Sequence, residues 1–271
     1  MPRPRPPYPR NEREASATRP PHERELLRVC GLAAVQALFD CDPDRVERLF
    51  FEPALKADLD TPCRVLARAR KPYRQVDRAE LARIAGTTLH GGAVAIAHPR
   101  PLAALDPEAV QAWARDGKPL VILDGVGNPH NLGAIARSAV FFGLDRIVLA
   151  DRPDQALPSD AAYRVAEGGL EYLALYRASL PAALRALRRA YRIVGTSLAG
   201  GSSGMDPTSD RPIALILGNE LTGLEAGTLA ACDEVVRIPG SGRVQSLNVA
   251  SAAAILIYML TRSPLGPDRC P

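Results

Sequence analysis

The sequence has no hydrophobic run long enough to cross a membrane and no apolar leader at its N-terminus. The longest apolar run, residues 247–260, is interrupted by Asn248 and Ser251 and falls short of the ~20 residues that span a bilayer. The N-terminus is rich in proline and arginine and lacks the apolar core of a secretory signal. We therefore expect a soluble intracellular protein that resides in the cytoplasm and has no membrane partner.

Paired cysteines and clustered histidines are also missing. The chain has five cysteines and four histidines. No two cysteines form a CxxC pair, and they lie at Cys30, Cys41, Cys63, Cys232 and Cys270. An odd number of widely spaced cysteines predicts neither a disulfide framework nor a zinc site. We therefore expect no metal site.

Lysine is nearly absent. It occurs only at Lys56, Lys71 and Lys118, so the other 31 of the 34 basic residues are arginine. Compositional bias of the source genome would explain this preference, but arginine also binds phosphate with a forked geometry and stacks on bases. The segment from position 64 to position 83 contains seven basic residues and only two acidic ones. This basic stretch is either a solvated helix face or a surface that contacts nucleic acid. The candidates for RNA contact within it are Arg64, Arg68, Arg70, Lys71 and Arg74.

The length predicts two domains. A chain of 271 residues, 46% of them hydrophobic, can bury two cores at roughly 100–200 residues per domain. Residues 1–25 carry seven prolines and six arginines, which predicts a disordered basic arm. Residues 26–99 are predicted to form a small α/β unit, residues 100–118 a linker with one helix, and residues 119–271 a second α/β unit.

The second unit alternates predicted strands with predicted helices. Strands are expected at 120–124, 146–149, 173–176, 191–196, 213–217 and 234–238, and helices at 131–142, 159–166, 180–190, 222–231 and 244–261. This alternation favours a parallel sheet covered on both faces. Ligands of such sheets bind beyond the carboxyl ends of the strands, so the loops that follow strands are the expected location of a site.

Three of these loops carry an unusual density of glycine and polar residues, at 125–137, 217–223 and 238–248. Each alone has an ordinary structural explanation, as a capped helix, a strand-to-helix turn or a flexible loop before a helix. The first is not a dinucleotide fingerprint, because His130 occupies the third glycine position of G-x-G-x-x-G. A nicotinamide-dependent oxidoreductase is therefore the disfavoured alternative.

Together and in this order, the loops resemble the motifs of the SpoU/TrmH branch of the SPOUT RNA methyltransferases. The matching stretches are 128–137 (Asn-Pro-His-Asn-Leu-Gly-Ala-Ile-Ala-Arg), 217–220 (Leu-Gly-Asn-Glu) with 223–224 (Gly-Leu), and 238–239 (Ile-Pro) continuing to 246–249 (Ser-Leu-Asn-Val). The upstream unit is similar to that family's ribosomal-protein-like RNA-binding domain, through Gly31, Ala34, Val35, Leu38 and the run 90–92 (His-Gly-Gly). The likeness spans residues 28–262.

The resemblance implies an α/β fold with two domains. A knotted parallel-sheet methyltransferase domain, with the trefoil knot that makes SPOUT proteins an exception among folds, would follow a small α/β RNA-binding domain. The implied activity is methyl transfer from S-adenosylmethionine to a ribose 2′-hydroxyl in structured RNA, by a homodimer. Ribosomal RNA is the preferred substrate over transfer RNA. A non-catalytic RNA-binding protein on the same fold is the alternative.

The resemblance also implies roles for individual residues. The implied catalytic residues are Arg137, Asn131, Glu220, Ser246 and Asn248. Arg137 corresponds to the family's catalytic arginine. A guanidinium is essentially never deprotonated in a protein, so we expect Arg137 to hold a phosphate and stabilise the developing alkoxide rather than act as a base. The implied cofactor-binding residues are Gly218, Ile238, Leu247, Leu217 and Thr196, acting largely through backbone groups.

Overall fold

The computed structural model describes residues 26–198, 200–203 and 211–261. The predicted basic arm at 1–25 therefore lies outside the described residues. Within them the chain forms two units, each built around its own β-sheet.

The N-terminal unit is a mixed four-stranded sheet with helices on both faces. Its elements are β1 (Leu27–Cys30), α1 (Leu32–Cys41), β2 (Val46–Phe51), α2 (Asp60–Arg68), β3 (Tyr73–Gln75), α3 (Arg78–Ala85) and β4 (Ala93–Ala97). The strand order is β1-β4-β2-β3, with β4 antiparallel to β1 and β2, and β3 parallel to β2. Asp77 caps α3, because its carboxylate accepts a hydrogen bond of 2.7 Å from the Glu80 amide.

The second unit contains an eight-stranded sheet in which all neighbouring strands are parallel. Its elements are β5 (Ala103–Ala104), α4 (Pro107–Arg115), β6 (Leu120–Asp124), α5 (Pro129–Phe141), β7 (Arg146–Ala150), α6 (Asp160–Ala166), α7 (Gly169–Tyr172), β8 (Ala174–Ala178), α8 (Leu180–Leu187), β9 (Arg192–Thr196), β10 (Ser202–Ser203), β11 (Ile213–Gly218), α9 (Ala226–Ala230), β12 (Glu234–Arg237) and α10 (Val249–Thr261). The strand order is β10-β12-β9-β11-β6-β7-β8-β5. The predicted parallel α/β architecture is confirmed.

The centre of the parallel sheet is buried on both faces. Every residue of β6 and β11 is buried, because α5 and α10 pack on one face while α4 and α8 pack on the other. A strand covered on both faces needs an uninterrupted apolar sequence. Burying such side chains stabilises the fold by about 1.5–3 kcal/mol each.

Several boundaries differ from the prediction, and the two largest differences concern residues 100–118 and the start of α10. Residues 100–118, predicted as a linker, add β5 and α4 to the second unit: β5 pairs with β8, and the Trp113 ring lies 4.8 Å from the Tyr176 ring. A strand of two alanines has no detectable period. α10 begins at Val249 rather than at Val244, because the Asn248 side chain accepts a hydrogen bond of 2.8 Å from the Ala250 amide and caps the helix.

A buried ion pair joins the two units. Arg45 of the N-terminal unit donates to the Glu171 carboxylate at 2.8 Å, and the Glu171 side chain is fully buried. Arg100 donates to the same carboxylate oxygen at 2.8 Å. Charges removed from water in this way need their partners, so the pair fixes how the two units meet.

α5 and α6 touch through their backbones. A Cβ at position 133 would lie 2.3 Å from the carbonyl oxygen of Ala162, so only glycine fits there. Gly133 thereby seats α5 directly on α6.

No helix among the described residues has the length and apolar character needed to cross a membrane. The same residues contain no group of three or more His, Cys, Asp or Glu side chains arranged to bind a metal ion. The trefoil knot stays a prediction.

Candidate functional site

Three loops meet at the carboxyl ends of neighbouring strands. They follow β6, β11 and β12, at residues 125–128, 219–225 and 238–248. β6 and β11 are adjacent in the sheet, and only β9 separates β11 from β12. Because parallel strands end at the same edge, the loops lie where open α/β sheets bind ligands.

One side chain, Asn131, connects all three loops. It lies in the first turn of α5, which begins at Pro129 because Asn128 caps the helix by accepting from the His130 amide at 2.9 Å. Asn131 Nδ2 donates to Glu220 at 2.7 Å, and its Oδ1 accepts from Asn248 Nδ2 at 3.0 Å. With only 8% of Asn131 exposed, these bonds fix the orientation of its amide.

The Glu220 carboxylate organises the turn after β6. Besides Asn131, it accepts from the backbone amides of Gly127 and Asn128 at 3.1 and 3.4 Å. Burial would raise the pKa of Glu220, but the hydrogen bonds from Asn131 and from the backbone amides outweigh burial and lower it. Glu220 is therefore ionised at neutral pH and holds the loops together as an acceptor.

The turn after β11 is closed by Asn219. Its side-chain oxygen accepts from two backbone amides of the turn at 2.8 and 3.1 Å, and its Nδ2 donates to the Gly125 carbonyl at 2.7 Å. A Cβ at Gly218 would lie 2.4 Å from the carbonyl carbon of Gly223. A side chain at position 218 would therefore force this turn open.

Gln155 is a second anchor of the turn after β6, and sequence reasoning missed it. Only 6% exposed, it accepts from the Gly125 amide at 2.9 Å and donates to the carbonyls of Val126 and Ala156, both at 3.1 Å. A single glutamine in a polar loop carries no periodic or motif signal.

Arg137 lies six residues after Asn131, about 9 Å further along α5. Its guanidinium pairs with the Glu167 carboxylate at 2.9 Å, and both side chains are 56% exposed. Glu167 adopts a left-handed backbone conformation (φ 45°) at the end of α6, and sequence reasoning did not identify it. Among the described residues, Arg137 makes no hydrogen bond to the Asn131 network.

The candidate cofactor residues follow the ends of three adjacent strands. Thr196 ends β9, Leu217 and Gly218 end β11, and Ile238 follows β12. The Thr196 hydroxyl donates to a β11 carbonyl at 3.0 Å and fastens the two strands. Leu217 is 1% exposed and Leu247 is 48% exposed, so Leu217 offers its backbone while Leu247 presents an apolar side chain.

Ser246 is exposed in the loop before α10. Its hydroxyl makes no hydrogen bond within the described part of the chain. The structure thus brings together Asn131, Glu220 and Asn248, and leaves Ser246 and Arg137 outside their network.

Lys71 differs from the other basic candidates because its ammonium group is fully engaged. It donates to the carbonyls of Asp44 and Val46 at 2.8 and 2.6 Å and pairs with Glu47 at 3.2 Å. An ammonium has three donors, and those of Lys71 are directed to these three acceptors of its own unit; its contact with RNA stays a prediction.

The four candidate arginines are exposed. Arg64 and Arg74 each pair with a carboxylate of the same unit, and Arg74 also lies over the Phe50 ring, 5.9 Å from its centroid. Arg68 and Arg70 make neither an ion pair nor a side-chain hydrogen bond to any described residue. Of the four candidates, Arg68 and Arg70 are therefore the two whose donors are all available.

Comparisons with known proteins match both units. Residues 118–258 match the SpoU rRNA Methylase family. Residues 28–103 match the family described as RNA 2′-O ribose methyltransferase substrate binding. The order of the two domains agrees with the resemblance seen in the sequence.

Two ribosomal RNA methyltransferases are similar in sequence to most of the chain. The 23S rRNA (guanosine-2′-O-)-methyltransferase RlmB of Burkholderia sp. is 34% identical over 243 residues, 87% of this chain and 96% of that protein. The RlmB of Acinetobacter baylyi is 31% identical over 245 residues, 87% and 97% of the two chains. An AdoMet-bound rRNA methyltransferase from Sinorhizobium meliloti has a similar structure, with a TM-score of 0.72, 26% identity and coverage of 89% and 88%. The chain therefore belongs to the SpoU rRNA methylase family.

Proposed function

We propose that the protein transfers a methyl group from S-adenosylmethionine to a ribose 2′-hydroxyl of ribosomal RNA. Family membership and the two RlmB relatives, named for this reaction on 23S rRNA, support the proposal. The observation that carries it is the Asn131 side chain, which joins three distant stretches through Glu220 and Asn248. These stretches converge at the sheet edge where a ligand is expected.

The strand ends fit an adenosyl cofactor. Large apolar side chains are exposed there: Leu198 after β9 to 63%, Leu221 after β11 to 94%, and Leu247 before α10 to 48%. A mostly apolar lining with a few polar backbone groups is what a cofactor of this kind requires. S-adenosylmethionine, when bound, supplies a methyl group on a positively charged sulfur. The residues that would hold it are Leu217, Gly218, Ile238, Leu247 and Thr196.

Arg137 can bind the RNA next to the ribose that is methylated. Its guanidinium stays charged and cannot accept the proton of the 2′-hydroxyl. It can hold an RNA phosphate and stabilise negative charge as it develops on the 2′-oxygen. In this proposal RNA displaces Glu167 from Arg137, because an exposed pair contributes only about 0–1 kcal/mol. A phosphate oxygen of the RNA then accepts the proton.

The other four candidates act as positioning groups. Asn131, Glu220 and Asn248 hold the loops in one arrangement, and the exposed Ser246 hydroxyl is available to the substrate. Holding the attacking oxygen in line with the methyl group converts a bimolecular encounter into an oriented one, which supplies much of the rate acceleration.

An exposed apolar face supports the proposal of a homodimer. α10 presents Ile255, Tyr258 and Met259, which are 37–42% exposed, and α5 ends at Phe141, which is 81% exposed. The two helices are in contact, with the Phe142 and Tyr258 rings 5.5 Å apart. Exposed apolar patches of this kind mark interaction sites. We propose the trefoil knot in the same unit on the family likeness alone.

The N-terminal unit is proposed to hold the RNA. It matches the substrate-binding family over residues 28–103, and it exposes Arg68 and Arg70. Ribosomal RNA is preferred over transfer RNA because the RlmB relatives are named for 23S rRNA. We accordingly propose that the protein works in the cytoplasm.

The test is methyl transfer from radiolabelled S-adenosylmethionine to rRNA and tRNA separated from a strain that lacks this gene. Label in a ribose of rRNA is the expected result, and mapping of that ribose identifies the target. Label in tRNA alone would change the substrate class. RNA binding without any label would support a binding-only protein, and calorimetry with NAD tests the oxidoreductase alternative.

A further inference from the structure

A cavity of about 230 Å³ lies between the two units, beside the catalytic candidate Arg137. One wall is formed by the start of α1 and the loop 89–91 of the N-terminal unit, and the other by Arg164 and Glu167 of the second unit. Glu167 is the residue that pairs with Arg137. We call this cavity the interdomain cleft. It lies outside the Asn131 network and the three motif loops of the second unit, although Gly31, Ala34 and His90 belong to the stretches that carry the likeness of the N-terminal unit.

The first turn of α1 presents unpaired backbone amides to the interdomain cleft. Leu32, Ala33 and Ala34 all line it, and the first amides of a helix have no acceptor within the helix. The residue before the helix, Gly31, has no side chain to cap them, and the first turn contains no acidic residue. The positive end of the helix dipole therefore faces the cleft without a counter-charge from its own helix.

His90 supplies a second and independent indication of a ligand. It lines the interdomain cleft and is only 2% exposed. Its Nδ1 accepts from the Gly92 amide at 3.2 Å, which leaves Nε2 as the donor of the ring. That buried nitrogen has no hydrogen-bond partner among the described residues. Buried polar groups are nearly always hydrogen-bonded, so His90 lacks an acceptor that a ligand would provide.

Arg164 adds a positive charge without a counter-ion. Its Nε is buried and unpartnered, and it forms no ion pair with a described residue. The neighbouring carboxylates are committed elsewhere, Asp160 to Arg28 at 3.1 Å and Glu167 to Arg137 at 2.9 Å. Burial raises the pKa of the adjacent Cys30 to about 11, so that thiol is neutral and does not balance Arg164.

We propose that the interdomain cleft binds a phosphate of the RNA backbone close to the ribose served by Arg137. The proposal rests on the proposed function and specifies how the RNA crosses from one unit to the other. Arg164, the His90 Nε2 and the amides of the first turn of α1 would donate to the phosphate oxygens. These are the donor types that bind RNA phosphates in other proteins. Glu167 is the one carboxylate in the wall, and Arg137 neutralises it.

The test is the salt dependence of binding to a 23S rRNA transcript, measured by filter retention. Arg164→Ala should raise Kd at least about tenfold, as expected for a lost charged hydrogen bond, and reduce the slope of log Kd against log salt by roughly 0.7–0.9. Arg185→Ala, which removes an exposed arginine from α8, is the matched control and should leave both unchanged. An Arg164→Ala variant with the affinity and slope of the wild type overturns the proposal.

A second variant separates phosphate binding from folding. Ala33→Glu places an acid in the exposed first turn of α1, where it interacts favourably with the helix dipole. The thermal midpoint should stay the same or rise, while the affinity for the transcript falls at least about tenfold. Unchanged affinity would contradict the proposal. RNA binding is measured without methyl transfer, so the two proposals can fail separately. A wild-type protein that binds RNA but transfers no label would overturn the proposed function without contradicting the proposed phosphate site in the interdomain cleft.

Discussion

Asn131 donates a hydrogen bond of 2.7 Å to Glu220, although the two residues lie 89 positions apart in the chain. The side-chain amide of Asn131 also accepts a hydrogen bond from Asn248, which lies 117 positions from Asn131 in the chain. One asparagine thus holds in register the three loops that carry the family motifs. Its removal should affect the reaction more than the fold.

Asn131→Ala removes a donor from Glu220 and an acceptor from Asn248. We expect the rate of methyl transfer to fall about 100-fold, because oriented reactants lose their alignment. The free energy of unfolding should fall by about 1–3 kcal/mol. Single-turnover kinetics and urea denaturation measure the two effects. Methyl transfer within twofold of the wild type would contradict the role of the network.

Arg137→Ala should abolish methyl transfer and leave the affinity for S-adenosylmethionine nearly unchanged, because Arg137 is expected to contact RNA rather than the cofactor. Calorimetry and methyl incorporation give the two readouts. Glu167→Gln is the control: it breaks the same exposed ion pair but keeps the guanidinium, so activity should persist. Near-normal turnover of Arg137→Ala would show that the assignment is wrong.

Glu220 should give the site a specific response to acid. Its carboxyl has a lowered pKa in the folded protein, so its stabilising contribution is complete above the ordinary glutamate value of about 4.5. It is lost as the pH falls through the lowered folded value. The difference in unfolding free energy between wild type and Glu220→Gln, about 1 kcal/mol, should be constant from pH 7 to 5. This difference in unfolding free energy should decrease only in more acidic solution. A decrease that begins already near pH 6 would contradict the lowered pKa of Glu220.

The buried pair between Arg45 and Glu171 should dominate the cohesion of the two units. Glu171→Ala leaves Arg45, itself 9% exposed, without this partner, and we expect a loss of about 3–5 kcal/mol in unfolding free energy. Asp60→Ala breaks the exposed pair with Arg64 and should cost less than about 1 kcal/mol. Equal losses in the two variants, measured by urea denaturation, would refute a special role for the buried pair.

Phe141→Glu should prevent dimer formation, because it places a charge in the proposed apolar interface. Sedimentation equilibrium is expected to show a dimer for the wild type and a monomer for the variant. Tyr73→Glu, at the exposed edge of the N-terminal sheet and 45% exposed, should stay dimeric. A dimeric Phe141→Glu protein would place the interface elsewhere.

Local signals explain which elements were predictable. β6 and β11 follow from continuous apolar runs, and the one helix predicted within residues 100–118 is α4, which Asp106 caps and Pro107 starts. The sequence predicts the start of α10 too early, because no periodicity distinguishes the loop before Val249 from a helix. Only the Asn248 cap marks the boundary.

The site was predictable only in part, and for a physical reason. Asn131, Glu220 and Asn248 belong to motifs that a sequence displays, whereas their hydrogen bonds depend on the strand order. Glu167 and Gln155 have no motif of their own, and their partners, Arg137 and the turn after β6, are brought to them by packing. Long-range polar contacts of this kind leave no trace in local pattern.

Gly133 seats α5 directly on the carbonyl of Ala162 in α6. Because no side chain lies between the two backbones, neither helix can shift toward the other without a steric clash. α5 carries Asn131 and Arg137, and α6 carries Arg164, so the groups proposed for the ribose and for the RNA phosphate move as a single piece. A bulkier residue at position 133 would therefore push α5 away from α6. RNA and cofactor could each still bind, but the ribose 2′-oxygen would no longer be aligned with the methyl group of the cofactor.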